Sequence, residues 1–207
     1  MRSKVFKQLN YAEIEGKSIS DILGNVHLIT GVNATEEYLD KLRSPELIHF
    51  ATHAFYLPKP NEKFEINPFT LSGIALAGAN VTANPNRMTI GNYDGILSAA
   101  EAGIMSLKGT KLVVLSACDS ALGQDLHSEG FFSLRKAFNI AGAKTVVGAN
   151  WSLNDKITAE FMKQFYEKIK EGKPISQALR ETKLNFISSI VYNNPYFWAP
   201  FTLTGQW

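Results

Sequence analysis

Lys111-Leu-Val-Val-Leu-Ser-Ala117 is the stretch on which the fold turns. Its consecutive branched apolar side chains leave no polar face. That is the pattern of a strand covered on both sides, as in a parallel sheet wrapped by helices, whereas a half-solvated strand would alternate. Working outward, Glu46-Leu-Ile-His-Phe-Ala-Thr52 upstream and Lys144-Thr-Val-Val-Gly148 downstream read the same way. Helical patterns run from about Phe131 to Ala141, from Asp155 to Glu171 and from Ile175 to Ile190. Gly172-Lys-Pro174 is the stop-and-restart signal between the last two. Ser98-Ala-Ala-Glu101 has capping-box spacing and predicts a helix through Leu107. Nearer the start, Val26-His-Leu-Ile-Thr30 predicts a short strand stopped by Gly31. Asn33 to Arg43 predicts a helix, with Asn33 and Glu36 at capping-box spacing. Phe55 to Tyr93 is rich in Pro, Asn and Gly and holds one strand, Phe69 to Ala77, so it reads as an excursion from the sheet. Phe201-Thr-Leu-Thr204 is the closing strand. Together these predict an α/β sandwich: a mostly parallel central sheet with helices on both faces, residues 1–207 forming one domain.

Composition narrows the function. The chain has 207 residues, 45% hydrophobic and 19% charged, with net charge +2 and one cysteine. Such a balance gives no general attraction to nucleic acid or anionic membrane, so neither is expected as a partner. One cysteine rules out an internal disulfide and any multi-cysteine metal site. The opening MRSKVFKQLNYAEIEGK has basic residues but no apolar stretch behind them, so it does not read as a signal peptide. No run approaches the ~18 apolar residues of a membrane span. The expectation is a soluble cytoplasmic protein. Lys156, Lys163, Lys168, Lys170 and Lys173 alternate with Glu160, Glu167 and Glu171, as on a solvated helix face. The aromatic cluster Tyr192, Tyr196, Phe197, Trp198 and Phe201 reads as packing between the last strand and the helices.

In an open α/β sheet, ligands sit beyond the carboxyl ends of the strands. Two chemically capable residues fall there. His53 follows the strand from Glu46, and Cys118 follows the strand from Lys111, 65 positions later. A thiol with the ordinary pKa of roughly 8.5 is mostly protonated at neutral pH, and a neighbouring imidazole can take its proton. Ser116-Ala-Cys-Asp-Ser120 and Gly123 keep the surroundings small enough for a substrate backbone to approach. With the strand expected to end at Ala117, the N–H of Cys118 is a candidate oxyanion donor, and that of Ala54 a second. His27, His49 and His127 are given no role.

Several stretches in order carry a resemblance. They are His49-Phe-Ala-Thr-His53, Leu71-Ser-Gly-Ile-Ala-Leu76, Asp94-Gly-Ile-Leu-Ser-Ala-Ala-Glu101 and Val113-Val-Leu-Ser-Ala-Cys-Asp-Ser-Ala-Leu-Gly123. Leu134-Arg-Lys-Ala-Phe138 with Ala141-Gly-Ala143, Trp151-Ser-Leu-Asn-Asp155, Phe165-Tyr166 and Pro195-Tyr-Phe-Trp-Ala199 follow. This series is similar to the CHAT domain, a group of caspase-like cysteine peptidases related to separase and common in bacteria behind tetratricopeptide repeats. The resemblance implies a caspase-like three-layer sandwich and regulated proteolysis of a peptide or partner protein. It makes Cys118 the nucleophile and His53 its base, with no metal or other cofactor. In caspases the histidine precedes the cysteine by about 50 residues. Ala54 stands where the family often has glycine, which keeps the N–H. Asp119 fills the acidic position after the nucleophile. Asp155 is expected near the pocket for the residue before the scissile bond, selecting Arg or Lys by charge; an N-cap on the following helix is the alternative role for it. A tetratricopeptide-repeat or other sensor is the implied partner. Two other classes fit the same residues: a catalytically idle interaction module on this fold, and a small-molecule thiol hydrolase or acyltransferase.

Overall fold

The apolar run from Leu112 forms the strand through which every other layer is connected. The computed structural model describes residues 6–56, 67–82, 93–116, 118–119, 128–151 and 153–206. In chain order the strands are β1 (Leu47–Phe50), β2 (His53–Tyr56), β3 (Ser72–Ala75), β4 (Ile96–Ser98), β5 (Leu112–Leu115), β6 (Cys118–Asp119), β7 (Thr145–Ala149) and β8 (Phe201–Gly205). The helices are α1 (Ala12–Leu23), α2 (Glu36–Asp40), α3 (Ala79–Thr82), α4 (Ala99–Ala102), α5 (Ser128–Ile140), α6 (Asp155–Lys170), α7 (Ile175–Ser188) and α8 (Pro195–Trp198).

The strands pair in the orders β1-β5-β7-β8 and β4-β3-β2-β6. These two ladders are successive stretches of one surface, because β2 continues β1 after two residues and β6 continues β5 after two. The register makes the continuity plain: Leu47 faces Leu112, Phe50 faces Leu115, His53 faces Cys118 and Ala54 faces Asp119, a constant offset of 65 residues. Pairing is parallel at the centre (β1 with β5, β5 with β7, β2 with β6) and antiparallel outside it (β2 with β3, β3 with β4, β7 with β8).

Alternation along β5 divides the core into two. Val113 and Leu115 point to one face, against Leu134, Ala137 and Phe138 of α5 and Ala99 and Ala102 of α4. Leu112 and Val114 point to the other, where Ile19 of α1, Phe161, Met162 and Phe165 of α6 and Phe186 of α7 cover them. Side chains buried on both faces are why this run shows no polar alternation. Phe201 of β8 stacks on Phe161 with centroids 3.8 Å apart, as expected of the aromatic cluster. Tyr196 instead lies half exposed against Trp151.

The architecture is the expected one, a mixed α/β fold consistent with the caspase-like sandwich, but the N-terminal quarter departs from the sequence reading. Val26–Thr30 is not a strand: the sheet's outer strands, β4 and β8, come from elsewhere, and β-branched residues alone do not make a ladder. The helix expected from Asn33 is shorter and starts later. Asn33 sits in a 3₁₀ turn, and Thr35 caps α2 by accepting from the Tyr38 N–H. The capping box at Ser98 and Glu101 is present with both of its bonds. Its helix closes at Ala102 rather than Leu107.

Glu36 of α2 reaches across to the β3–β4 connection and accepts the N–H of Gly95. Gly95 has φ +81°, and a Cβ there would fall 2.2 Å from the Ala79 nitrogen, so only glycine fits.

Candidate active site

The paired interruption of the two central strands builds the site. Residues 51–52 separate β1 from β2, and residues 116–117 separate β5 from β6. The break is stitched rather than open: Ser116 N–H donates to the Phe50 carbonyl at 3.0 Å, and the Thr52 hydroxyl donates to the Ala75 carbonyl. Pairing then resumes in the same register, so His53 and Cys118 are direct neighbours across a parallel ladder, where strands lie about 4.8 Å apart.

The sequence reading placed both residues in loops after strand ends. Instead each opens a further short strand, and Cys118 and Asp119 are themselves β6. The premise that the strand ends before the Cys118 N–H is thereby corrected. Ala54 is fully buried within β2, between Ile74 of β3 and Asp119 of β6. The side chains of Cys118 and Asp119 lie outside the described residues, as do Ala117, Ser120, Gly123 and His127.

His53 is 6% exposed. Its Nε2 lies 2.6 Å from the Lys7 carbonyl oxygen. A carbonyl can only accept, so Nε2 carries the hydrogen and the Nδ1 lone pair is left available. Nδ1 is buried and has no hydrogen-bond partner among the described residues. A buried polar atom in that condition costs roughly 1–3 kcal/mol, and in native proteins such atoms concentrate where chemistry or an additional group completes the site. The Phe6 ring lies against the imidazole at 5.6 Å and against Phe55 at 5.7 Å. Phe6 is in turn held by Asn80, which accepts its N–H at 2.7 Å and donates to its carbonyl at 2.9 Å.

Asp155 is the first residue of α6, behind the N-cap Asn154. One carboxylate oxygen accepts the Lys156 N–H at 3.0 Å and the other accepts the Tyr11 N–H at 3.2 Å. It therefore caps the start of α1, which has no side-chain cap of its own, as well as lying in the first turn of α6. On the β7 side, the buried Arg135 guanidinium donates to the Gly148 carbonyl, the Asn150 side-chain oxygen and the Thr202 hydroxyl. Burial lowers its pKa to about 10, still cationic at neutral pH. Lys7, Phe6, Asn80 and this role of Arg135 went unseen in the sequence. The contacts of Lys7 and Phe6 span 46 and 74 positions, and no local pattern encodes them.

Comparison with known proteins gives a consistent picture. The family model of the CHAT domain matches residues 1–206. The chain is 28% identical to the mouse protein named Tetratricopeptide repeat protein 28, over 94% of this chain and 8% of that protein. The human protein of the same name is 26% identical over the same shares. The chain thus spans less than a tenth of the length of these relatives. Among the described residues no helix is long and apolar enough to cross a membrane.

Proposed function

The chain belongs to the CHAT domain family, which is related to cysteine peptidases, and from that premise we propose that it is a cysteine endopeptidase acting through Cys118 and His53. The observation that carries this reading is the register of His53 against Cys118, with one imidazole nitrogen fixed by Lys7 and the other without a partner among the described residues.

In the proposed reaction His53 Nδ1 takes the Cys118 proton, and the thiolate attacks the scissile carbonyl. The backbone N–H of Cys118, in β6 at the end of its ladder, is the donor offered to the oxyanion. Collapse of the tetrahedral intermediate breaks the C–N bond, and the proton on Nδ1 passes to the departing amine. A thioester remains. Nδ1 then takes a proton from water, hydroxide adds to the thioester, and the acid is released as the thiol re-forms.

The substrate class is an extended peptide or partner protein with a basic residue before the scissile bond, drawn by Asp155. Asp155→Asn keeps an acceptor for the Tyr11 N–H and removes the charge. In a peptide library varying only that residue, preference for Arg and Lys should fall at least tenfold with Asp155→Asn. Unchanged preference would remove Asp155 from the pocket. The two mammalian relatives are named for tetratricopeptide repeats, and a repeat-bearing segment or partner is the regulator that fits this reading.

The central test is alkylation of Cys118 by iodoacetamide across pH. A thiol of ordinary pKa is only a few per cent ionised at pH 7, so pairing with His53 can raise the rate up to about 30-fold. His53→Ala should remove that gain and return the profile to that of a free thiol. If the native protein already labels at the rate of its unfolded chain, the domain is an idle interaction module.

A further inference from the structure

A second histidine, on the preceding strand β1, sits in a largely buried polar network that the proposed chemistry does not use. His49 stands four residues before His53. Its Nε2 faces Glu15 Oε1 of α1 at 2.7 Å, and its Nδ1 faces the Tyr166 hydroxyl of α6 at 3.0 Å. Glu15 is 3% exposed and Tyr166 fully buried. Burial, with Glu15 nearby, holds the Tyr166 phenol well above its ordinary range, so it stays protonated. A buried polar pair of this kind is weak evidence for stability, since apolar residues of similar volume often serve as well. What it offers over an apolar contact is a single allowed position, as a buried polar group does when it sets the register of packed helices.

That position bears on His53. Glu15 N–H donates to the Tyr11 carbonyl in the first turn of α1. The Tyr11 N–H is held by Asp155, and four residues earlier the Lys7 carbonyl accepts from His53 Nε2. The same N-terminal piece therefore grips a histidine on each of two successive strands, His49 of β1 through Glu15 and His53 of β2 through Lys7.

We propose that Glu15, through its buried bond to His49, is a positioning residue for the His53–Cys118 site: it locks α1 against the sheet and so holds the Lys7 carbonyl that keeps the hydrogen on His53 Nε2. The assignment rests on the peptidase reading for its consequence in activity, but the positioning itself is readable without it.

The test is the ¹⁵N spectrum of the imidazoles, four in this chain, at neutral pH. In the native protein His53 should show a single tautomer protonated at Nε2. Glu15→Ala should give a mixture of tautomers at His53 and slow Cys118 alkylation, by up to about 10²-fold for a displacement near 1 Å. Glu15→Gln keeps an acceptor oxygen for His49 and should restore both signals. If Glu15→Ala does not fold, Tyr166→Phe, which deletes one oxygen, should shift the His53 tautomer in the same direction by a smaller amount. A His53 spectrum unchanged in a folded Glu15→Ala, or in Tyr166→Phe where that variant is the one read, overturns the proposal. A shifted tautomer with alkylation indifferent even to His53→Ala upholds the positioning and rejects the peptidase.

Discussion

His49 of β1 and His53 of β2 stand four residues apart on successive strands, both with side chains largely out of solvent, yet their surroundings differ in kind. His49 has a partner on each ring nitrogen, Glu15 on one and Tyr166 on the other. His53 has a partner on Nε2 alone, and its Nδ1 is buried without one among the described residues. A histidine whose hydrogen-bonding capacity is filled by protein has no lone pair to lend. One held rigidly by a carbonyl, with its second nitrogen unpartnered among the described residues, is prepared to accept a proton. What separates the two residues is the second nitrogen, filled in His49 and unpartnered among the described residues in His53.

Three measurements would break or sharpen that contrast. The largest effect is on turnover: once a cleavable peptide is in hand, His53→Ala should reduce kcat/KM on the order of 10⁴- to 10⁶-fold, as loss of a nucleophile's partner does in triad proteases. Cys118→Ala should match it. A loss of only a few fold with His53→Ala would put the two histidines in the same class.

Stability should reverse their order. His49→Ala leaves Glu15 buried without its partner and should cost about 3–5 kcal/mol. His53→Ala gives up one bond together with an atom that has no partner among the described residues, and should stay within about 1 kcal/mol of the native protein. Urea denaturation of both variants decides it, and equal losses would deny the distinction.

The smallest effect concerns Glu36, another buried ionisable group whose bond goes to a backbone N–H. Desolvation raises its carboxyl above the usual 4.5, Asp94 and Glu101 add to the rise, and the Gly95 N–H opposes it. The fold therefore favours the protonated acid. The associated stability is fully present below pH 4.5 and is lost as pH rises through the folded value. Glu36→Gln keeps an oxygen for Gly95 and carries no charge, so its advantage over the native protein should grow from pH 4 to pH 7. Parallel urea midpoints across that range would show that Glu36 titrates as an exposed acid does.

The central strands were legible because burial on both faces writes itself into composition: Leu112–Leu115 and Thr145–Ala149 have few polar side chains. α1 was not legible. Its buried positions are Ile19 and the charged Glu15, while Ile14 is half exposed, so no apolar stripe marks the helix. Val26–Thr30 misled for the opposite reason, with strand-like residues and no neighbouring strand to pair with. Of the candidate site, His53 and Cys118 could be placed by their position relative to the strands. Their surroundings could not. Lys7 and Phe6 meet His53, and Asn80 meets Phe6, only through long-range packing, and the position of Asp155 over the start of α1 depends on a helix the apolar pattern hides.

The constant offset between the two central strands works as a ruler. The match of His53 to Cys118 is counted along the ladder from Leu47 and Leu112, not along the chain that runs between them. Chain can be added to or removed from the connections between Tyr56 and Leu112 without shifting that match by a fraction of a residue. A slip in the ladder, by contrast, moves it by one whole residue or not at all. The pairing of base and thiol is therefore a digital property of this fold, and the intervening segments are free to diversify in length and composition while it persists.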